Sequence, residues 1–572
     1  MLAFSLLAMV TIKVNNLNFV YRNSNQKALD NISFKLNQGE MIAIMGRSGA
    51  GKSTLCRCLN GIIPKFIKGN LSGDIEILGE SIKDKPIHQI AKNVGLVFQD
   101  FEYQLFSTNV ELEVAFGPEN LALPKEEIEK RIKHSLLMVG LTGFENRQPH
   151  TLSGGEKQRL AIASVLSMKP KIMILDEPTT DLDPIGRYEI FRSFVQLKRD
   201  SISMLLVEHD AEDIIDSDKI MILSDGKIVA FDDTKNILKD IKLLEFYGIR
   251  PLQIPKLFME LGLDTSPFTA EFAYQTSGKL LKSLIDNNKY SLLIEKDKNK
   301  KYGNIIIEIK NLTYSYNKGK NALNNVNLDI KEGEFVAIIG QNGSGKTTLA
   351  KHLNGLLKPN SGKVICFGKD TLKTKIIELG KDIGYVFQNP DHQIFANTVK
   401  EELMFGPKNF GLSEEQTSIN ISQALQAVHL EGYEDRDPFS LTKGERQRVA
   451  VASVLAFKPK VLILDEPTTG LDYAQQKSMM ELLRLLNFAG HTIIIITHSL
   501  WVVAEYAHRA IVFHNGSIIM DGTVREIFSR QEELESASMR LPEIIKLSNM
   551  LGKTLLSVDE FKSVINERKE TK

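Results

Sequence analysis

GRSGAGKST at 46–54 and GQNGSGKTT at 340–348 decide the reading of this chain. Each matches G-x-x-x-x-G-K-[ST] and each follows an apolar run, MIAIM at 41–45 and FVAII at 335–339. A glycine-rich turn between a buried strand and a helix lets successive backbone N–H groups face a phosphate, and the helix N-terminus adds partial positive charge. Gly46, Ser48, Gly49 and Gly51 form the first turn, and Gly340, Asn342, Gly343 and Gly345 the second. Lys52 and Lys346 are then placed to reach β- and γ-phosphates, with Ser53 and Thr347 as ligands of Mg²⁺ and Thr54 and Thr348 beside them. A glycine-rich turn with a solvated lysine explains one such loop, but two in matched contexts point to phosphate binding.

The motifs around the loops recur as well. LVFQD at 96–100 returns as YVFQN at 385–389, and LSGGEKQRLAIASVL at 152–166 as LTKGERQRVAVASVL at 441–455. IMILDEPTTDLD at 172–183 returns as LILDEPTTGLD at 462–472. Lys52 and Lys346 stand 294 residues apart, whereas Gln99 and Gln388, and also His209 and His498, stand 289 apart. The slip lies where NGIIPKFIKGNLSGDIEILG at 60–79 faces the shorter NGLLKPNSGKVICFG at 354–368. Even the tails repeat: Arg250, Ile254, Lys256 and Leu257 recur 290 residues on as Arg540, Ile544, Lys546 and Leu547. The stretch 287–303 turns charged and low in apolar content, and reads as the linker. The expected division is an N-terminal extension at 1–10, a first phosphate-loop domain at 11–245, an extension and linker at 246–303, a second phosphate-loop domain at 304–530 and a final extension at 531–572.

Short β-branched runs such as KIMILD, SMLLVEH, KVLILD and TIIIITH read as buried parallel strands. The segment between each VFQ and each LS/TxGE motif, for example EEIEKRIKHSLLMVGL at 126–141, reads as helices of a second lobe. The expected fold class is α/β with an inserted α-helical subdomain, built twice. In ILDEP, the strand delivers Asp176 and Asp465 toward magnesium, and Glu177 and Glu466 follow at the strand end, where a carboxylate polarises water. Gln99 and Gln388 carry amides that meet both metal and water, and His209 and His498 follow apolar strands and would donate to a γ-phosphate. Taken singly each of these has a structural explanation; their repeated order does not.

Composition excludes other classes. The 572 residues hold 71 Lys+Arg and 71 Asp+Glu, so there is no basic field for broad capture of nucleic acid. Hydrophobic residues at 42% and charged residues at 25% are globular, not disordered, proportions. Cys56, Cys58 and Cys366 are too few and scattered for a disulfide framework or four-ligand zinc site, and Cys56 and Cys58 read as packing residues of the helix after the first loop. No run reaches the roughly 18 apolar residues of a spanning helix. The opening MLAFSLLAMV lacks basic residues ahead of its apolar stretch and reads as a short extension, since Met9 directly precedes a strand-like run.

The order of phosphate loop, VFQ, LSGGE, ILDEP, a D-loop (180–183 and 469–472) and a terminal histidine resembles ATP-binding-cassette ATPases over essentially the whole chain. The resemblance implies two P-loop cassettes, each a RecA-like core with a helical subdomain and a short C-terminal extension, using ATP and Mg²⁺. It implies that Tyr21 and Tyr316 stack on adenine, with a buried strand tyrosine as the competing reading. It also implies that the cassettes pair head to tail within the chain, each ATP held between one phosphate loop and the other cassette's signature. Lys346 and Glu466 would then work with the complete signature Leu152, Ser153, Gly154, Gly155 and Glu156. Lys52 and Glu177 would work with Leu441, Thr442, Lys443, Gly444 and Glu445, where Lys443 stands in place of the first glycine. That change bears on the conformation of the turn rather than on the supply of ligands, and the expectation is unequal sites, the Lys346 site hydrolysing faster.

The segments QDFEYQLFSTNVELEVAFGPENLAL and QNPDHQIFANTVKEELMFGPKNFGL are similar to those of energy-coupling factor importers of cobalt and vitamins, in FQ-x-x-x-x-Q-[LI]-F and an FGP-[EK]-N turn. The resemblance implies a groove there for helices of a membrane partner, and exposed Phe106 or Phe395 beside acidic Glu111, Glu113, Glu401 and Glu402 suits a basic amphipathic helix. The expected partners are a small integral membrane scaffold protein and a membrane-embedded substrate-capture protein, with no nucleic acid, at the cytoplasmic face of the cell membrane. The alternative is a tandem cassette acting on the ribosome, which is disfavoured because the inter-cassette stretch is mostly repeat-borne tail.

Overall fold

The computed structural model describes residues 9–180, 182–263, 267–316 and 321–566; the first eight residues and Asp181 of the first D-loop lie outside them. The chain divides into two units, Met1–Pro255 with Asp472–Ala474, and Lys256–Leu471 with Gln475–Lys572.

In the first unit six strands form one mixed sheet in the order Lys227–Asp233, Lys219–Ser224, Met41–Met45, Ser203–Val207, Ile172–Asp176 and Val94–Val97. All neighbours are parallel except the outermost hairpin, Lys219–Ser224 with Lys227–Asp233. MIAIM, IMILD and SMLLV are buried at every position, which is why they read as unbroken apolar runs rather than alternating ones. A separate antiparallel sheet, Lys27–Asn37, Val10–Tyr21, Gly69–Ile77 and Glu80–Ser81, alternates and closes over the same core. Three helices, Val110–Asn120, Lys125–Met138 and Gly154–Leu166, build the expected helical lobe.

The second unit repeats this plan, with the sheet order Ile383–Val386, Val461–Asp465, Thr492–Ile496, Phe335–Gly340, Arg509–His514 and Ser517–Thr523. Its lobe is Val399–Asn409, Glu414–Ala427 and Lys443–Leu455. The duplication extends to unusual backbone. Asn16 and Asn311, Lys169 and Lys458, and Glu177 and Glu466 occupy the left-handed region at near-identical angles, 46° and 50°, 52° and 55°, 51° and 50°.

The second unit also holds the residues that precede it. The charged stretch read as a linker is largely a helix, Asn287–Lys298, capped by Asp286, whose carboxylate accepts from the N–H groups of Asn288 and Lys289. It folds against the C-terminal segment: the Thr554 N–H donates to the Tyr290 hydroxyl at 3.1 Å, and Lys289 donates to the Ile565 carbonyl at 2.8 Å.

Two expectations change. The FGP segment is not a turn; Phe116, Gly117 and Pro118 lie inside the helix Val110–Asn120, as Phe405, Gly406 and Pro407 do inside Val399–Asn409. The glycine allows close packing, because a Cβ at Gly117 would stand 2.6 Å from Met168 Cγ, and one at Gly406 2.7 Å from Phe457 Cδ1. Glu113 and Glu402 are not surface acids; both are buried. Glu113 accepts the N–H groups of Phe106 and Ser107 at 3.0 and 2.8 Å, and Glu402 those of Phe395 and Ala396 at 3.0 Å each. A buried carboxylate needs such donors, and here they fix the loop that carries the exposed phenylalanine.

Candidate functional site

Each site starts where a buried strand runs into its glycine loop. Gly46 has φ 141°, and a Cβ there would lie 2.2 Å from the Leu223 carbonyl oxygen; Gly340 has φ 149° and would meet the Phe513 carbonyl oxygen at 2.3 Å. No other residue fits. The lysine that opens the following helix folds back over the loop: Lys52 Nζ donates to the carbonyls of Gly46 and Arg47 at 2.7 and 3.0 Å, and Lys346 Nζ to those of Gly340 and Gln341 at 2.7 Å each. Both lysines are buried. Burial pulls the Lys52 ammonium below its ordinary range against the opposing charge of Glu177.

The strand register brings the acids to the loop. Asp176 pairs with Val207 and Asp465 with Ile496 in parallel ladders, so each carboxylate stands at the same sheet edge as the strand end that carries the histidine. One residue on, the Glu177 N–H still donates to the Val207 carbonyl and the Glu466 N–H to that of Ile496. The left-handed turn at that residue then ends the strand, a sparsely populated conformation for a non-glycine residue.

In the first cassette the Glu177 carboxylate is held from both sides. His209 Nε2 lies 2.8 Å from Oε1, and Gln99 Nε2 donates to Oε2 at 2.8 Å. In the second, His498 Nδ1 lies 2.9 Å from Glu466 Oε1. Burial raises the Glu466 carboxyl, but His498 and Lys346 more than offset it and leave the group below its ordinary range. It is therefore ionised at neutral pH, the form a general base requires.

Ser53 donates to Asp176 at 3.1 Å, and Thr347 lines the second cleft together with Asp465. Burial, with Glu177 adding to it, raises the Asp176 carboxyl to about 6, and burial also raises that of Asp465. A hydroxyl, a carboxylate and a nearby amide form an all-oxygen donor set beside the phosphate loop, which suits a hard divalent cation that keeps some of its water. In the second unit these residues line one cleft of about 380 Å³, which brings together Tyr316, Lys346, Thr347, Gln388, Asp465 and Glu466.

The tyrosines take different settings. Tyr316 is 57% exposed on the rim of the cleft and its hydroxyl lies 3.1 Å from Thr348 Oγ1. Tyr21 is half-buried, edge-on to Phe19 at 4.8 Å, with its hydroxyl 2.9 Å from Thr54 Oγ1. Ser153 and Thr442 cap the helices Gly154–Leu166 and Lys443–Leu455, each in a capping box with Glu156 or Glu445. The two turns are alike, with φ, ψ of −64°, 161° at Ser153 and −64°, 159° at Thr442, so Lys443 leaves the turn unchanged. It occupies the first helical position, where no left-handed residue is needed.

Two further polar contacts were not legible as motifs. Tyr385 donates to Asp465 at 3.0 Å, and Thr179 donates to the buried Glu208 at 2.8 Å. The first follows from register: Tyr385 pairs with Ile463, two residues before Asp465 on the same face.

A profile of the ABC transporter family matches residues 29–180 and 323–469. A chain of Caldanaerobacter subterraneus subsp. tengcongensis, provisionally named an ABC transporter ATP-binding protein, is 51% identical over 559 residues, covering 96% of this chain and 98% of its own. One of Methanosarcina acetivorans with the same provisional name is 39% identical over 578 residues, 97% and 94% of the two chains. Among solved structures, cbiO1 of Clostridium perfringens, part of the ABC transporter complex cbiONQ, is 39% identical and covers 42% of this chain and 97% of its own, with a TM-score of 0.38. With both phosphate loops, both ILDEP strands and both histidines in order, the chain belongs to the ABC transporter ATP-binding proteins and carries two ATPase cassettes.

Proposed function

We propose that this ATPase is the motor subunit of an energy-coupling factor importer for a vitamin or a transition-metal ion, bound to the cytoplasmic face of the cell membrane through a small integral scaffold protein and a membrane-embedded capture protein. The ATPase domains are residues 11–245 and 304–530. One observation carries the reading: each helical lobe presents a rigid exposed aromatic pair. Phe106 is 64% exposed and stacks edge-on with the exposed Phe116 at 4.6 Å; Phe395, 61% exposed, does so with Phe405 at 4.8 Å. Exposed Glu111 and Leu112 flank the first pair and Glu401 the second. Apolar side chains held outward by buried Glu113 and Glu402 are built for contact, and an amphipathic basic helix matches an apolar patch with an acidic border.

Within each site, Glu177 or Glu466 acts as general base on the attacking water, oriented by His209 or His498. Lys52 and Lys346 exchange their loop carbonyls for phosphate oxygens when ATP enters. Ser53, Asp176 and Gln99, or Thr347, Asp465 and Gln388, would hold Mg²⁺, which neutralises phosphate charge when bound.

The test is capture of this chain from native membranes in mild detergent, with and without ATP, with its partners identified by mass spectrometry. The expected result is one small multi-helix membrane protein with a capture protein, both lost in the Phe106→Ala, Phe395→Ala double variant. Recovery of ribosomal proteins with nothing integral to the membrane would overturn the reading.

A further inference from the structure

We propose that Tyr385 is a positioning residue for the metal-binding carboxylate and that it gives the second cassette the tighter divalent-cation site. Its hydroxyl donates to Asp465 Oδ2 at 3.0 Å, from a side chain only 9% exposed and packed edge-on against Phe387 at 5.0 Å. Thr347 lines the same cleft as this carboxylate. Asp465 is thus held by a phenolic donor on the strand Ile383–Val386, an element separate from the phosphate loop and the helix Lys346–Leu353 behind it.

The first cassette lacks this contact. The strand Val94–Val97 pairs with Ile172–Asp176 in the same register, and Leu96 sits opposite Ile174 where Tyr385 sits opposite Ile463. Leu96 is as buried as Tyr385 but has no polar atom to offer. Asp176 has Ser53 as its hydroxyl donor, at 3.1 Å. The two aspartates therefore differ in their hydroxyl donor: Asp176 is held by Ser53, itself a candidate metal ligand, and Asp465 by a phenolic hydroxyl from a neighbouring strand, at a position where the backbone is the same.

Outer contacts that orient a ligand typically change metal affinity by about 10- to 100-fold. A carboxylate whose hydroxyl partner is itself drawn to the cation must be reordered when the cation arrives; one held by Tyr385 is ordered beforehand. The inference rests on the magnesium reading and is independent of the importer reading.

The experiment measures Mn²⁺ binding by electron paramagnetic resonance, on the full chain with a non-hydrolysable ATP analogue. A Lys52→Ala background isolates the second site and a Lys346→Ala background the first. Removing only the hydroxyl, with Tyr385→Phe, is expected to weaken Mn²⁺ at the second site about 10-fold while analogue binding without metal and the unfolding temperature stay close to those of the parent. Unchanged Mn²⁺ affinity in a folded Tyr385→Phe chain overturns the proposal. If that variant does not fold, Leu96→Tyr decides: tighter Mn²⁺ at the first site supports the proposal and unchanged affinity overturns it. A parent chain that binds no Mn²⁺ at either site would overturn the magnesium reading itself, a different result from binding that ignores the hydroxyl.

Discussion

Glu177 and Glu466 share a backbone angle, a histidine partner and a position one residue past the sheet, so inequality between the sites has to come from their neighbours. Tyr385 against Leu96 is one difference inside the cassettes, and Lys443 against Gly154 is another. With Glu466 working alongside the complete 152–156 signature, as the family resemblance implies, Glu466→Gln is expected to lower phosphate release more than Glu177→Gln. The loss should approach the roughly 10²–10⁴-fold effect of a general base, and equal losses in the two single variants would contradict it. A third asymmetry is Glu208, which Thr497 replaces in the other half. Burial, with Asp213 adding to it and Arg187 opposing, raises the Glu208 carboxyl to about 8 from an ordinary 4.5. Between those values the folded chain keeps a proton that the unfolded chain releases. The stabilisation is complete below the unfolded value and is lost as pH rises through about 8. The unfolding temperature of the first unit should therefore fall from about pH 5 to about pH 9, and Glu208→Gln should flatten that slope in calorimetry.

The elements divide cleanly into those the sequence makes legible and those it does not. Phosphate loops, ILDEP strands and the helix behind LSGGE are legible because local spacing alone dictates them: an apolar run, a glycine turn, a capping residue three before a glutamate. Glu113 and Glu402 are not, since a glutamate in the first turn of a helix ordinarily faces water, and only tertiary approach of the preceding loop supplies its N–H donors. FGP misleads for a related reason: proline and glycine mark turns, yet here the helix continues through both, and the glycine is needed for the side chain packed on it. Lys443 misleads in the other direction. It suggests a distorted turn, but the first helical position accepts any side chain, and the lysine stem runs out over Gly470 of the same unit. A Cβ on Gly470, where φ is +72°, would stand 2.4 Å from Lys443 Nζ. Gly470→Ala should thus cost about 1–2 kcal/mol from the left-handed backbone alone and displace Lys443, whereas Lys443→Gly should leave the capped turn intact. Chemical denaturation of the two single variants and of their combination measures this, and a combined cost equal to the sum would mean the lysine and the glycine are not coupled.

At the scale of the whole chain, duplication explains the two cassettes but not how the tails are used. The first half's tail repeats in the second at Arg250 and Arg540, Lys256 and Lys546, yet residues 256–303 fold with the second unit. One of their anchors is Arg525, whose side chain is 7% exposed and whose counterpart by repeat is the exposed Lys235. Its guanidinium donates to Asp297 at 2.7 Å, to both oxygens of Glu560 at 2.9 Å and to the Thr554 carbonyl at 2.7 Å. It thereby joins the inter-cassette helix to the segment after the second cassette and the short helix that follows it, across the whole length of the second cassette in sequence. A planar fork with bidentate contacts cannot be replaced by lysine at that spot, which accounts for the departure from the repeat. Arg525→Met removes the fork while keeping an apolar stem, and leaves two acids facing each other without their cation. The loss is expected to be about 2 kcal/mol, concentrated in the helix Asn287–Lys298, whose residues are otherwise all at least partly exposed. Lys296, Lys298, Lys300 and Lys301 make that helix and its exit a trypsin target once it opens. With opening fast relative to cleavage, about 2 kcal/mol corresponds to cleavage roughly 30-fold faster, cutting the chain near residue 300 into two large fragments. A digestion time course on the parent and variant chains reads this directly. Equal rates would show that the linker is held by its other contacts, through Tyr290 and Lys289, and not by the arginine.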